Sequence, residues 1–244
     1  MRHTFLRHHH SSTGMLLFFS GWGSEPCMFS NGIEESTAYD ILMLWDYRSM
    51  DFDIRILNGY KEVRVLAWSM GVWAAGQVLS RPGLNGCVNG MRLAVNGTPF
   101  PIHDRMGIPE AVFDGTLDSL SERSLGKFRR RMCGSQEALE QLLTCNLHRS
   151  VEELREELSA IREAVRHGAD HDAGMFSGTA AADAPGDFSW DHAVIGSGDL
   201  IFPAANQTEA WKGLDVPVSL LDIPHYDISL FQRLLYKEDS WTNI

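Results

Sequence analysis

The chain has 244 residues, 44% of them hydrophobic and 22% charged, and a formal net charge of −11. That composition excludes a disordered polypeptide and suffices for one sizeable core, at a length α/β folds use as a single domain. The acidic balance argues against a general nucleic-acid binder, and no stretch reaches the roughly 18 apolar residues of a membrane span. Cys27, Cys87, Cys133 and Cys145 form no C-x-x-C pair and no regular disulfide framework. Each reads as a small buried hydrophobe, reduced, in a cytoplasmic protein.

Met1 to Thr13 is basic and His-rich. With His8, His9 and His10 it reads as an exposed or edge segment ahead of the first core strand, in preference to a metal tract. Leu16-Leu17-Phe18-Phe19 is a continuous apolar run, as expected of a strand buried on both faces of a parallel sheet. It ends in Ser20-Gly21-Trp22-Gly23-Ser24. Alone this is a Gly-rich turn. In a serine hydrolase the loop after an early strand supplies one oxyanion N–H, and here the donor would be Trp22.

Tyr39 to Trp45 is the next strand. Asp46 follows at its end, with a loop-tying role favoured over a catalytic one. Val63 to Trp68 is a strand, Ser69 falls in a tight turn, and from Gly71 the apolar residues Ala74, Ala75, Val78 and Leu79 recur at helical spacing. A serine between a strand end and a helix start is thrust forward, and the helix N-terminus offers free N–H groups to an oxyanion. Ala67-Trp68-Ser69-Met70-Gly71 departs from G-x-S-x-G at Ala67, where crowding demands a small residue. Arg81-Pro82-Gly83 stops the helix, and Arg92 to Asn96 is a further strand. Alternating strand and helix favour an α/β fold with a mostly parallel sheet and helices on both faces.

From 108 to 176 the strand signal vanishes. Phe113, Leu117, Leu120 and Leu125 form one helical stripe; Leu139, Leu142 and Leu143 a second; Val151, Leu154, Leu158, Ile161 and Val165 a third. This predicts an all-helical cap, 108–176, inserted in one α/β domain spanning 1–244. Arg123, Lys127, Arg129, Arg130 and Arg131 are concentrated in the cap, whereas the third helix is acidic. A charge run is usually a solvated face, yet on so acidic a chain these cations would steer an acidic partner. Residues 168–187, rich in Gly, Ala, Asp and Ser, read as a surface connection back to the sheet. A metal cluster of His167, Asp170, His171 and Asp172 is disfavoured.

Asp191 to Ile195 resumes the sheet and ends in Gly196-Ser197-Gly198-Asp199; Pro203 opens a helix through about Trp211. Pro217 to Leu221 is the last strand, followed by Pro224-His225-Tyr226 and a helix from Ile228 to Tyr236. His103 and His192 read as structural or surface histidines, and Asp222 and Asp227 as turn or helix caps.

Ser69, Asp199 and His225 each follow a strand, which puts all three on the C-terminal edge of one sheet, in the order of an α/β-hydrolase triad. Ser69 would attack an acyl carbonyl, His225 would take and return its proton, and Asp199 would fix the imidazole. The backbone N–H groups of Trp22 and Met70 would hold the oxyanion. No cofactor is called for.

Residues 16–23, Trp45-Asp46-Tyr47, Ala67-Trp68-Ser69-Met70-Gly71 and Asn96-Gly97-Thr98-Pro99 together resemble the BioG-type pimeloyl-acyl-carrier-protein methyl ester esterases. The resemblance continues through Gly115-Thr116-Leu117, residues 128–134, Gly198-Asp199 and Pro224-His225-Tyr226, and so covers most of the chain. It is least evident in the acidic segment 151–172. It implies an α/β-hydrolase with a helical cap that cleaves the methyl ester of pimeloyl-acyl-carrier protein in biotin biosynthesis. The acidic carrier would then dock on Lys127, Arg129, Arg130 and Arg131. A serine esterase or thioesterase for other short acyl esters remains the alternative, followed by an inactive binding protein of the same fold.

Overall fold

The structure is a computed structural model that describes residues 1–9, 11–30, 39–172, 188–237 and 241, without the side chains of 85 and 168–172. Among the described residues, seven strands form one sheet in the order β1-β3-β2-β4-β5-β6-β7. They are β1 (Arg2–Arg7), β2 (Gly14–Phe19), β3 (Tyr39–Trp45), β4 (Glu62–Trp68), β5 (Arg92–Val95), β6 (His192–Gly196) and β7 (Val218–Leu221). Only β1 runs antiparallel, along the edge of β3. It was legible as an edge segment but not as a strand, because its alternation leaves only Leu6 buried.

The helices are α1 (Met70–Leu79), α2 (Glu110–Asp118), α3 (Glu122–Cys133), α4 (Gln136–Leu143), α5 (Val151–Asp172), α6 (Ala204–Gly213) and α7 (Ile228–Tyr236). The strands alternate their side chains between two cores. Leu17, Phe19, Val65 and Ala67 share one core with α1, α5 and Trp211 of α6. Leu16, Phe18, Leu66 and Trp68 share the other with Phe231, Leu234 and Leu235 of α7.

The parallel register levels the C-terminal strand ends. Phe19 pairs with Leu44 and Ala67, Trp68 with Val95, Val95 with Val194, and Gly196 with Leu221. Ser20, Asp46, Ser69, Asn96 and Ser197 therefore emerge along one edge, where open α/β sheets bind ligands.

Helices α2 to α5 lie in sequence between β5 and β6. The first predicted stripe is split over two of them, since α2 ends at Asp118 and the capping box of Ser121 starts α3. In the second, Leu139 and Leu142 are buried but Leu143 is 54% exposed. The third is a core face: Leu154, Leu158 and Ile161 are buried. Helix α5 continues to Asp172, where a surface connection was expected from residue 168; residues 173–187 lie outside the described part.

Among the cysteines only Cys133 is buried; Cys27, Cys87 and Cys145 are partly exposed. The expectation of four buried thiols is therefore corrected. Cys87 lies on a surface turn, and Cys27 and Cys145 meet where the 26–28 turn abuts the end of α4, Cys145 Sγ donating to the Cys27 carbonyl at 3.3 Å.

Candidate active site

Ser69 sits at the turn from β4 into α1 with φ 59° and ψ −127°, a conformation that costs a non-glycine residue about 1–3 kcal/mol. Its neighbours hold it there. Its N–H donates to the Val95 carbonyl at 3.0 Å, anchoring the turn on the adjacent strand. Two positions beyond it, a Cβ on Gly71 would come within 2.1 Å of the Phe19 carbonyl oxygen, so helix and strand approach this closely only because residue 71 is glycine. Ala67 is wholly buried in the same corner.

Ser69 Oγ lies 3.0 Å from His225 Nε2, and His225 Nδ1 lies 2.8 Å from Asp199 Oδ2. All three residues are buried. An ionised carboxylate can only accept, so Nδ1 carries the imidazole proton and Nε2 is left to accept from the serine hydroxyl. Asp199 Oδ1 accepts from the Ile201 and Phe202 N–H groups at 2.8 and 2.9 Å. The main chain of His225 is pinned as well: its carbonyl accepts from Trp68 Nε1 at 2.9 Å and from Asn96 Nδ2 at 3.0 Å.

Among the described residues, the backbone N–H groups of Trp22 and Met70 have no hydrogen-bond acceptor. Both residues line a cleft whose wall also includes Ser69 and His225. Free donors beside a serine hydroxyl are what an oxyanion requires. The rest of the wall is mainly apolar, with Phe113, Phe128, Met132 and Leu158 from α2, α3 and α5, and Leu200 and Ile201 beside Asp199. Arg131 is the formally charged side chain on this wall.

The start of α5 is fastened to the same sheet edge. Trp22 Nε1 donates to the Leu154 carbonyl at 2.9 Å. Glu25 accepts from the His148 and Arg149 N–H groups at 2.9 and 3.0 Å. Glu157, fully buried, accepts from Arg149 Nη1 at 2.6 Å and from the Tyr47 N–H at 3.0 Å. The acidic reading of this helix is accurate only for its outer face. Asp46, with φ 61°, pairs with Arg2, Arg48 and Arg149, so it ties the loop. Burial raises the carboxyl pKa of Asp46, but the hydrogen bonds from Arg48 and the charges of Arg149 and Arg48 outweigh it and hold the net value low. Burial pushes Glu157 in the other direction, against the attraction of Arg149.

The basic cluster divides by helical position. Arg123, Lys127, Arg130 and Arg131 are exposed on α3, and among the described residues none has a carboxylate within 4.0 Å. Arg129 is half-buried, and burial lowers its pKa despite the charges of Glu122 and Glu25. These side chains and Leu139 and Leu143 line a shallow groove; Arg131 belongs to both groove and cleft.

Asp227 caps α7 by accepting from the Leu230 N–H at 2.9 Å, and Asp222 accepts from Ser197 Oγ at 3.3 Å. His192 bonds Ser219, and His103 Nδ1 accepts from the N–H groups of Arg105 and Met106. Among the described residues no group of three His, Cys, Asp or Glu could hold a metal ion; the side chains of Asp170, His171 and Asp172 lie outside them. Sequence reasoning missed Asn96 and Gln207. Asn96 carried a signal, as an asparagine ahead of glycine at a strand end, and its φ is 46°. Gln207, one amide within a helix, carried none.

Sheet order, strand-end serine, acid and histidine, and inserted helices define an α/β-hydrolase, the class to which many carboxylic ester hydrolases belong. The family model described as "Pimeloyl-ACP methyl esterase BioG" matches residues 1–237, and the chain belongs to that family. The crystal structure of BioG from Haemophilus influenzae is similar over 97% of this chain and 100% of its own, with 31% identity and a TM-score of 0.78. A malonyl-[acyl-carrier protein] O-methyltransferase of Bacteroides fragilis is 43% identical over 220 residues. That match takes in 90% of this chain, and the chain spans 41% of that protein's length. A crystal structure described as that of "a putative aryl esterase from Burkholderia cenocepacia", 14% identical with a TM-score of 0.57 over 93% of this chain and 91% of its own, shares the fold.

Proposed function

We propose that this chain hydrolyses the methyl ester of pimeloyl-acyl-carrier protein to pimeloyl-acyl-carrier protein and methanol, within biotin biosynthesis in the cytoplasm. The observation that carries the reading is the continuous relay of Ser69, His225 and Asp199, at 3.0 and 2.8 Å, in the wall of an apolar cleft. Membership of a family described as pimeloyl-ACP methyl esterases supports the substrate. Among the described residues, no helix is long and apolar enough to cross a membrane.

Ser69 Oγ attacks the ester carbonyl as its proton passes to His225 Nε2. The N–H groups of Trp22 and Met70 hold the resulting oxyanion; such a donor is worth about 2.7–4 kcal/mol of barrier. Collapse breaks the bond to the methoxy oxygen, which leaves as methanol with the proton from His225. Water, deprotonated by the same imidazole, then attacks the acyl-Ser69 ester and releases the carboxylate. Asp199 keeps the imidazole in the required tautomer and offsets its charge.

Helices α2 to α5 act as the cap of one α/β-hydrolase domain, because α2, α3 and α5 supply the apolar wall that receives the acyl chain. An acidic carrier protein docks on Lys127, Arg130 and Arg131, with the half-buried Arg129 reinforcing the field from behind. The position of Arg131 in both groove and cleft supports a route from carrier to serine.

The test compares methanol release from the carrier-linked ester with release from free methyl pimelate esters. A carrier preference in kcat/KM that fades with added salt supports the assignment. Equal turnover of free short-chain esters would replace it with a general serine esterase.

A further inference from the structure

The triad carboxylate has a fourth donor that the mechanism above does not use. Gln207, on α6, is wholly buried, and its Nε2 donates to Asp199 Oδ2 at 3.0 Å and to the Phe202 carbonyl at 2.8 Å. Both of those atoms are acceptors, so the amide cannot be turned round without facing oxygen against oxygen. Its Oε1 is buried with no partner among the described residues. A leucine would fill much the same space and remove the stranded Oε1, but it would leave the Phe202 carbonyl and Asp199 Oδ2 each short of a donor, so the amide serves the two oxygens it bridges. Its placement is explained by the groups it donates to.

We propose that Gln207 is a positioning residue for the triad: it completes the four donors that lock Asp199, so that Oδ2 stays aimed at His225 Nδ1. The proposal rests on the Ser69–His225–Asp199 reading. The Ile201 and Phe202 N–H groups hold Oδ1, while His225 Nδ1 and Gln207 hold Oδ2; without Gln207 the imidazole is the one donor left on Oδ2 among the described residues, and the carboxylate plane can tilt away from it. The donor also spreads the negative charge of Asp199, which tempers the pull of that carboxylate on the imidazolium. Asp199 and His225 are the titratable groups joined to the amide through these bonds.

The experiment measures Tm and the pH profile of kcat/KM for Gln207→Leu and Gln207→Glu beside the unaltered enzyme. In the leucine variant kcat falls about tenfold to hundredfold, the loss expected for one hydrogen bond to a charged group, while KM stays unchanged. Its Tm changes little, because removal of the stranded Oε1 offsets the donor lost by the Phe202 carbonyl. The acid limb of kcat/KM moves to higher pH, since the less neutralised carboxylate favours the imidazolium, whereas the near-isosteric glutamate, kept protonated by the Asp199 carboxylate beside it, still donates to Oδ2 and leaves kcat and the limb near those of the unaltered enzyme. If the leucine variant fails to fold, Gln207→Met, apolar and unbranched, takes its place in the comparison. Unaltered kcat in the apolar variant, or a loss by the same factor at every pH with no movement of the limb, overturns the proposal. The triad reading is tested separately: its failure shows as hydrolysis that survives Ser69→Ala, whereas failure of the Gln207 proposal leaves that variant inactive.

Discussion

The indole Nε1 of Trp22 donates to the carbonyl of Leu154 at 2.9 Å, joining the loop after β2 to helix α5. One residue thus offers its backbone N–H to the cleft and its side chain to the helix that walls it. Trp22→Phe keeps the backbone donor and the packing on Phe128 but leaves the Leu154 carbonyl unpartnered. Stability should fall by about 1–2 kcal/mol by urea titration. Activity should fall by about tenfold, since an oxyanion donor works only when held in position. A variant with full kcat would show that the loop is held by other contacts.

Asp46 gives a pH dependence. Its pKa is held low in the folded protein by Arg48 and Arg149. A depressed carboxylate contributes stability above its ordinary value, about 3.9, and that contribution is lost as pH falls through the lower folded value. Asp46→Asn should cost about 3 kcal/mol at neutral pH, because it strips a buried partner from Arg149. Its urea midpoint should also fall less steeply below about pH 4 than that of the unaltered protein. Parallel acid limbs would assign the acid sensitivity to other carboxylates, such as Asp40, whose pKa is also lowered.

Charge reversal tests the docking face. Lys127→Glu, Arg130→Glu and Arg131→Glu together should raise KM for the carrier-linked ester by about tenfold or more at low ionic strength and flatten its salt dependence. Turnover of a small free ester should change little. Equal losses on both substrates would point to distortion of α3 and not to lost steering.

Much of this site was legible because strand ends are legible. β3 and α7 have the bounds read from periodicity, and Ser69, Asp199 and His225 follow strands whose register the parallel sheet then levels. Gly71 was readable because glycine at a helix start has few other reasons to be there. What could not be read depends on facing. Arg129 belongs to the same basic run as Arg130 but turns toward the body of the protein. Glu157 looks like its solvated neighbours, yet it is fully buried against Arg149. Edge strand β1 has too few buried residues to announce itself, and Gln207 acts through one long-range contact that no local pattern encodes.

Ser69→Ala is the most direct test of the whole reading, with methanol release from pimeloyl-acyl-carrier-protein methyl ester as the readout. The rate should fall by at least about a thousandfold, with the circular dichroism spectrum and Tm near those of the unaltered protein. A folded variant that still releases methanol within about tenfold of the original rate would show that Ser69 is not the nucleophile.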